Sequence, residues 1–139
     1  MNRLRPGNCA PDRGAAAVEF ALLVPVLLLV LFGLIDFGRA LNAQITLTQA
    51  AREGARLAAL SQSNVVSRTQ AAATGLSGVT VTVTSCPSGA GPTSDATVEV
   101  SYPFTFATPI GGLAKLFGGS SGLGSSFTLT ATEVMACEG

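Results

Sequence analysis

The chain opens polar, turns apolar for about the length of a membrane crossing, and then shows first a helical and later a strand period. Residues 1–14, "MNRLRPGNCAPDRG", have no apolar periodicity. From Phe20 to Ile35 no residue is charged, and Glu19 is the one acid just before that run. As a helix, residues 15–35 would span roughly 31 Å, close to the hydrocarbon thickness of a bilayer. The pattern then becomes amphipathic in "DFGRALNAQITLTQAAREGARLAAL". Phe37, Leu41, Ile45 and Thr48 share one side at helical spacing. Ala51, Gly54, Ala55, Ala58 and Ala59 make a ridge of small residues that permits close approach of another element. A single helix over 15–60 is expected, about 69 Å long, which carries it well beyond any bilayer and against a folded domain. Pro25 inside it removes one hydrogen bond and predicts a kink rather than a break.

After Ser61–Asn64, a break with a new cap, "NVVSRTQAAATGL" predicts a short second helix ending near Gly75 or Gly78. Three alternating runs follow: Val79–Ser85, Ala96–Phe106 and Ser126–Ala136. The first places valines on one face and threonines on the other, and Pro103 in the second marks an edge or a bulge. The glycine-rich stretch between the last two has a greasy centre at Leu113, Leu116 and Phe117 that is expected to hold one helical turn. The predicted fold is α+β. A long N-terminal transmembrane helix continues into a small domain, with a short helix and a three-stranded antiparallel sheet packed on the helix's C-terminal part. By this reading residues 1–14 are a leader, 15–36 the span, 37–60 its extracytoplasmic continuation and 61–139 the domain.

Composition agrees with a membrane segment plus one small domain. Of 139 residues 47% are hydrophobic and 12% charged, with a mean hydropathy of +0.49. Eight basic residues balance eight acidic ones, so nothing favours a nucleic-acid partner. Arg3, Arg5 and Arg13 precede the span against Asp12 alone, which predicts a cytoplasmic N-terminus and an extracytoplasmic domain. An ordinary cleaved signal peptide fits less well. The apolar part is longer than a usual signal core, and Asp36 and Arg39 stand where small residues should mark the cut. Nor is Cys9 placed like a lipoprotein anchor, since "RLRPGN" before it is not apolar. With the leader gone, Cys86 and Cys137 remain as an even pair on the oxidising side. A bridge between them, with free thiols as the alternative, would stabilise by roughly 4 kcal/mol.

The order of basic residues, Gly14, small residues, Glu19 and a long apolar helix resembles the class III signal of type IV pilins. In that family a membrane aspartic peptidase cuts after the glycine and leaves a glutamate at the fifth mature position. The resemblance implies a cut between Gly14 and Ala15 with Glu19 fifth; alanine stands where an aromatic residue more often follows the cut. Over "RGAAAVEFALLVPVLLLVLFGLIDFGRALNAQITLTQAAREGARLAA" the chain is similar to the TadE family, pilin-like proteins of the tight-adherence (Flp-type) pilus system. Glu19, Pro25, "DFGR" at Asp36–Arg39 and "AAREGAR" at Ala50–Arg56 carry the similarity. It implies a minor pilin-like subunit or assembly factor. Its expected partners are the prepilin peptidase, other pilin or pseudopilin subunits, the membrane platform of the pilus machine and the lipid bilayer.

The resemblance also implies that Glu19 meets the N-terminal amine of a neighbouring subunit and sets helix register; the plainer alternative is that it reaches cytoplasmic water. Asp36, Arg39, Arg52, Glu53 and Arg56 form a candidate assembly face. Asp36 with Arg39, and Glu53 with Arg56, are placed to pair at i,i+3; the plainer expectation is that the first two anchor the helix end in the headgroup zone and that the "AREGAR" charges are a solvated face. No enzyme signature is present. The chain has no histidine, and it lacks G-x-S-x-G, S-x-x-K, C-x-x-C, G-x-G-x-x-G and P-loop spacing. No metal or cofactor is expected. The competing readings are an unprocessed single-span binding module and, behind it, a small membrane-bound enzyme.

Overall fold

The computed structural model describes residues 13–89, 91–116, 118 and 124–138. Cys9, the first twelve residues of the expected leader and Phe117 lie outside the described residues. The element order is α1 (Arg13–Ala59), α2 (Val65–Ala72), β1 (Thr80–Thr84), β2 (Asp95–Phe104), α3 (Ile110–Leu116) and β3 (Phe127–Ala136). The three strands form one antiparallel sheet in the order β1-β2-β3. This is the expected α+β architecture of a long apolar helix, a small domain and a three-stranded sheet.

Alanine, leucine and valine dominate α1, and it continues through Pro25 as one helix. Its end has a physical signature. Ser61 takes the left-handed conformation at φ 50. Its N–H donates to Ala58 O and that of Gln62 to Leu57 O. This is the paired 6→1 and 5→2 closure of a helix C-terminus, with serine in the place glycine usually takes. The expected break is therefore present, but the side-chain cap is not. Asn64 also sits left-handed, at φ 73, and makes no capping hydrogen bond with its side chain. The Ser67 hydroxyl donates back to Asn64 O instead.

The strands lie within two residues of the predicted bounds. Val81 faces Val100 and Val83 faces Val98 across β1 and β2, and Ala131 faces Val100 across β2 and β3. These residues point toward the helices. The opposite face carries the exposed Thr80, Thr82, Thr84, Glu99, Thr128, Thr130 and Thr132. Pairing of β1 stops at Ser101, so Pro103 lies where β2 has β3 on one side and no strand on the other. That satisfies proline's need for an unpaired flank.

Against the inward face lies the small-residue side of α1: Leu47, Ala51, Ala55, Ala58 and Ala59 are all buried in one cluster with Val98 and Val100. The ridge of small residues thus packs under the protein's own sheet. Gly54 explains its closeness. A Cβ there would collide with Thr69 Oγ1 of α2 and stand 3.0 Å from Val98 Cγ1. Only glycine lets α1, α2 and β2 meet at this point. A disulfide joins Cys86, just past β1, to Cys137, just past β3, with Cα atoms 5.9 Å apart.

Candidate functional site

α1 divides into a bare part and a docked part. Its most apolar window has a mean hydropathy of 2.8, and none of the residues in it is buried by the rest of the chain. The helix is long and apolar enough to anchor the protein in a membrane, with the small domain beyond it. Leu23, Leu27, Val30 and Leu34 are each at least half exposed. Exposure of large apolar side chains does not stop where the domain begins. Phe37, which flanks α3, is 63% exposed, and Leu41 and Ile45, on the side away from the sheet, are 49% and 58% exposed. An apolar stripe therefore runs from the span up the outside of the docked helix.

At the near end, Gly14, Ala15 and Glu19 are exposed and lie in the first turns of α1. The Gly14–Ala15 bond is thus helical and accessible. Glu19 is the seventh residue of α1, beyond the first turn in which the macrodipole acts.

At the domain end of the apolar run the tetrapeptide Asp36–Arg39 does something that its spacing alone did not reveal. Asp36 is 1% exposed. Its Oδ1 accepts from Arg39 Nη1 at 3.0 Å and from the Ala107 amide at 3.0 Å. Its Oδ2 accepts from the Thr108 amide at 3.3 Å and from the Thr108 hydroxyl. A carboxylate out of water is costly unless it is paired and hydrogen-bonded, and here both oxygens are satisfied. Arg39 also donates to Thr105 O at 3.3 Å and lies over the Phe104 ring, 5.3 Å from its centroid. The i,i+3 pair is one strand of a latch that fixes the loop after β2 to the helix.

That loop delivers α3. Pro109 precedes Ile110, and Leu113 N–H donates to Pro109 O, so proline sits where a helix start tolerates a missing donor. Ile110 reaches α1 at Gly33: its Cδ1 lies 3.7 Å from where a Gly33 side chain would begin. The Thr-Pro pair ahead of an apolar run was the sequence sign of this helix start. The contact of Thr108 with Asp36 had no local sign.

Farther along α1, Arg52 Nε donates to Glu133 Oε1 of β3 at 3.2 Å, across an exposed surface. Such a pair contributes at most about 1 kcal/mol. Glu53 and Arg56, expected to pair with each other, form no ion pair; Arg56 is exposed and Glu53 partly so. Gln44 Nε2 donates to Thr130 O at 2.9 Å, and Glu138 N–H to Ala59 O at 3.3 Å. β3 is therefore stitched to α1 along its length. Arg39, Arg52 and Arg56 remain surface groups, whereas Asp36 is turned inward.

Two clefts border Phe104. One, of about 160 Å³, lies among Arg39, Asn42, Gly75, Leu76 and Tyr102. The other, of about 200 Å³, opens between α1 and α3 beside Phe37, Phe106 and Phe127. Among the described residues no three of Asp, Glu, Cys or His gather as metal ligands.

No curated protein and no solved structure matches the chain. Residues 14–56, which hold Glu19, Pro25, the Asp36 latch and Gly54, match the family model for TadE-like protein, a pilus-associated family.

Proposed function

We propose that this protein is a minor pilin-like subunit or assembly factor of a tight-adherence pilus. It is inserted through α1 with its N-terminus cytoplasmic, and cut between Gly14 and Ala15 by the prepilin peptidase. The observation that carries this reading is the bare apolar surface of α1. The helix is much longer than its own domain needs, and its exposed stripe continues past the span to Ile45. A simple anchor has no use for uncovered Leu41 and Ile45 outside the bilayer, whereas a subunit that packs helix against helix does.

The cut and Glu19 belong together. Cleavage creates an ammonium on Ala15 near the membrane. A lone carboxylate at that depth costs several kcal/mol, and pairing with the ammonium of a neighbouring copy offsets much of it. Glu19 thereby sets the register between adjacent helices. The alternative, an unprocessed single-span binding module, keeps residues 1–14.

Intact-mass analysis of the protein from cells with and without the prepilin peptidase separates the two. The expected mature chain begins at Ala15 only when the peptidase is present. A chain that retains Met1–Gly14 beside an active peptidase overturns the proposal.

A further inference from the structure

The cleft between α1 and α3 sits at an unusual height. Gly33, which Ile110 touches, lies three residues on the membrane side of Asp36, about 4.5 Å lower along the helix. It is inside the apolar run, not beyond it. The cleft is lined by Gly33, Phe37 and Ala40 of α1 and by Phe106, Ile110 and Phe127 of the domain. Its one charged neighbour, Asp36, has both oxygens engaged inside the fold.

Phe104, Phe106 and Phe127 form an aromatic cluster with ring centroids 5.2 to 5.9 Å apart, yet Phe127 stays 44% exposed. Leu34, next to Gly33 in sequence, is also bare, at 65%. Lys115 is exposed in the last turn of α3, the helix that brings Ile110 to the cleft.

We propose that the base of the domain is immersed in the bilayer and that the α1–α3 cleft takes a phospholipid acyl chain from the leaflet bordering the domain. The cleft is continuous with the uncovered surface of the apolar run, so hydrocarbon that surrounds Leu34 also reaches Phe106. Facing water, these rings and Ile110 would leave an open apolar hollow; at this depth lipid fills it. Lys115 then extends its ammonium to the headgroup level while its stem lies on the acyl region. The inference rests on α1 spanning a bilayer, as in the function proposed above, but needs neither cleavage nor assembly.

Because the chain has no tryptophan, single reporters can be placed at will. The full chain carrying Phe106→Trp or, as a second reporter, Phe127→Trp is reconstituted in phosphatidylcholine vesicles with plain or acyl-brominated chains. Leu28→Trp reports the span, and Thr82→Trp the far face of the sheet. The expected result is that the reporters at 106 and 127 lose most of their emission with brominated lipid, as the one at 28 does, while the one at 82 is unchanged.

Quenching at 28 without quenching at 106 or 127 overturns the lipid site while leaving the span intact. A blue-shifted, unquenched reporter at 106 whose emission varies with protein-to-lipid ratio assigns the cleft to a second copy and also overturns it. Absence of quenching at 28 overturns the span and the lipid site together.

Discussion

Asp36 and Gly54 fix how the domain sits on the helix, and each makes a testable claim. Replacing Asp36 by Asn keeps the shape but removes the charge that Arg39, Ala107 and Thr108 all address. Hydrogen bonds to a charged group are worth about 1.5–3 kcal/mol. The Ala107 and Thr108 amides should therefore exchange with deuterium at least about tenfold faster, since 1.4 kcal/mol is a factor of ten. Unchanged protection would mean that the loop is held by something other than the carboxylate. At position 54 an added methyl meets Thr69 and Val98. Gly54→Ala should cost about 1–3 kcal/mol, as overpacking does, and Thr69→Ala should recover part of that loss in a double-mutant cycle. Additive losses in the thermal unfolding of the detergent-solubilised protein would refute the proposed collision. Neither role could be read fully from sequence. Asp36 was visible as an acid ending a greasy run, and Gly54 as one member of a small-residue ridge. Their partners lie on other elements, and for Asp36 the sequence distance is 71 and 72 residues.

The elements themselves were more legible, because period and punctuation are local. The valine–threonine alternation located β1 and its face, and Pro103 signalled the place where β2 loses a neighbour. The two sides of α1 were also visible, but hydrophobicity alone did not say which one meets the sheet. Residue size decides that: Ala51, Ala55 and Ala58 offer a flat surface that valines approach closely, whereas Phe37 and Ile45 project. The Cys86–Cys137 bridge spans a sequence separation of 51. Replacing both cysteines with serine should destabilise the domain by about 4 kcal/mol in the chain-entropy account. A loss below about 1 kcal/mol in denaturant titration would show that the helix and sheet alone hold these ends together.

The whole molecule is a domain fastened to the upper part of a helix whose remaining surface is bare. Two predictions belong at this scale. Leu41→Gln and Ile45→Gln lie on the exposed stripe, so each should change stability by no more than about 0.5 kcal/mol. Both should nevertheless reduce piliation seen by electron microscopy. Normal piliation with both changes in place would remove the stripe from the assembly surface. Glu19→Ala should insert like the parent but mature or assemble poorly; parental processing and piliation would refute the pairing role.

The bridge has a mechanical consequence as well. Any force that moves a subunit along or out of the membrane enters through α1. Tension between α1 and the C-terminus passes from Cys86 directly to Cys137, so the segment from β2 through α3 to β3 is bypassed as a closed ring. β2, β3, the loop with Ala107 and Thr108 and the aromatic base lie inside that ring, so tension along the covalent chain does not pass through them. At about 3.5 Å per residue, the bypass withholds roughly 170 Å of extension from a stretched chain. Single-molecule pulling should recover that length only on adding reductant; until the bridge is cut, the domain behaves as a rigid bead on a tensioned helix.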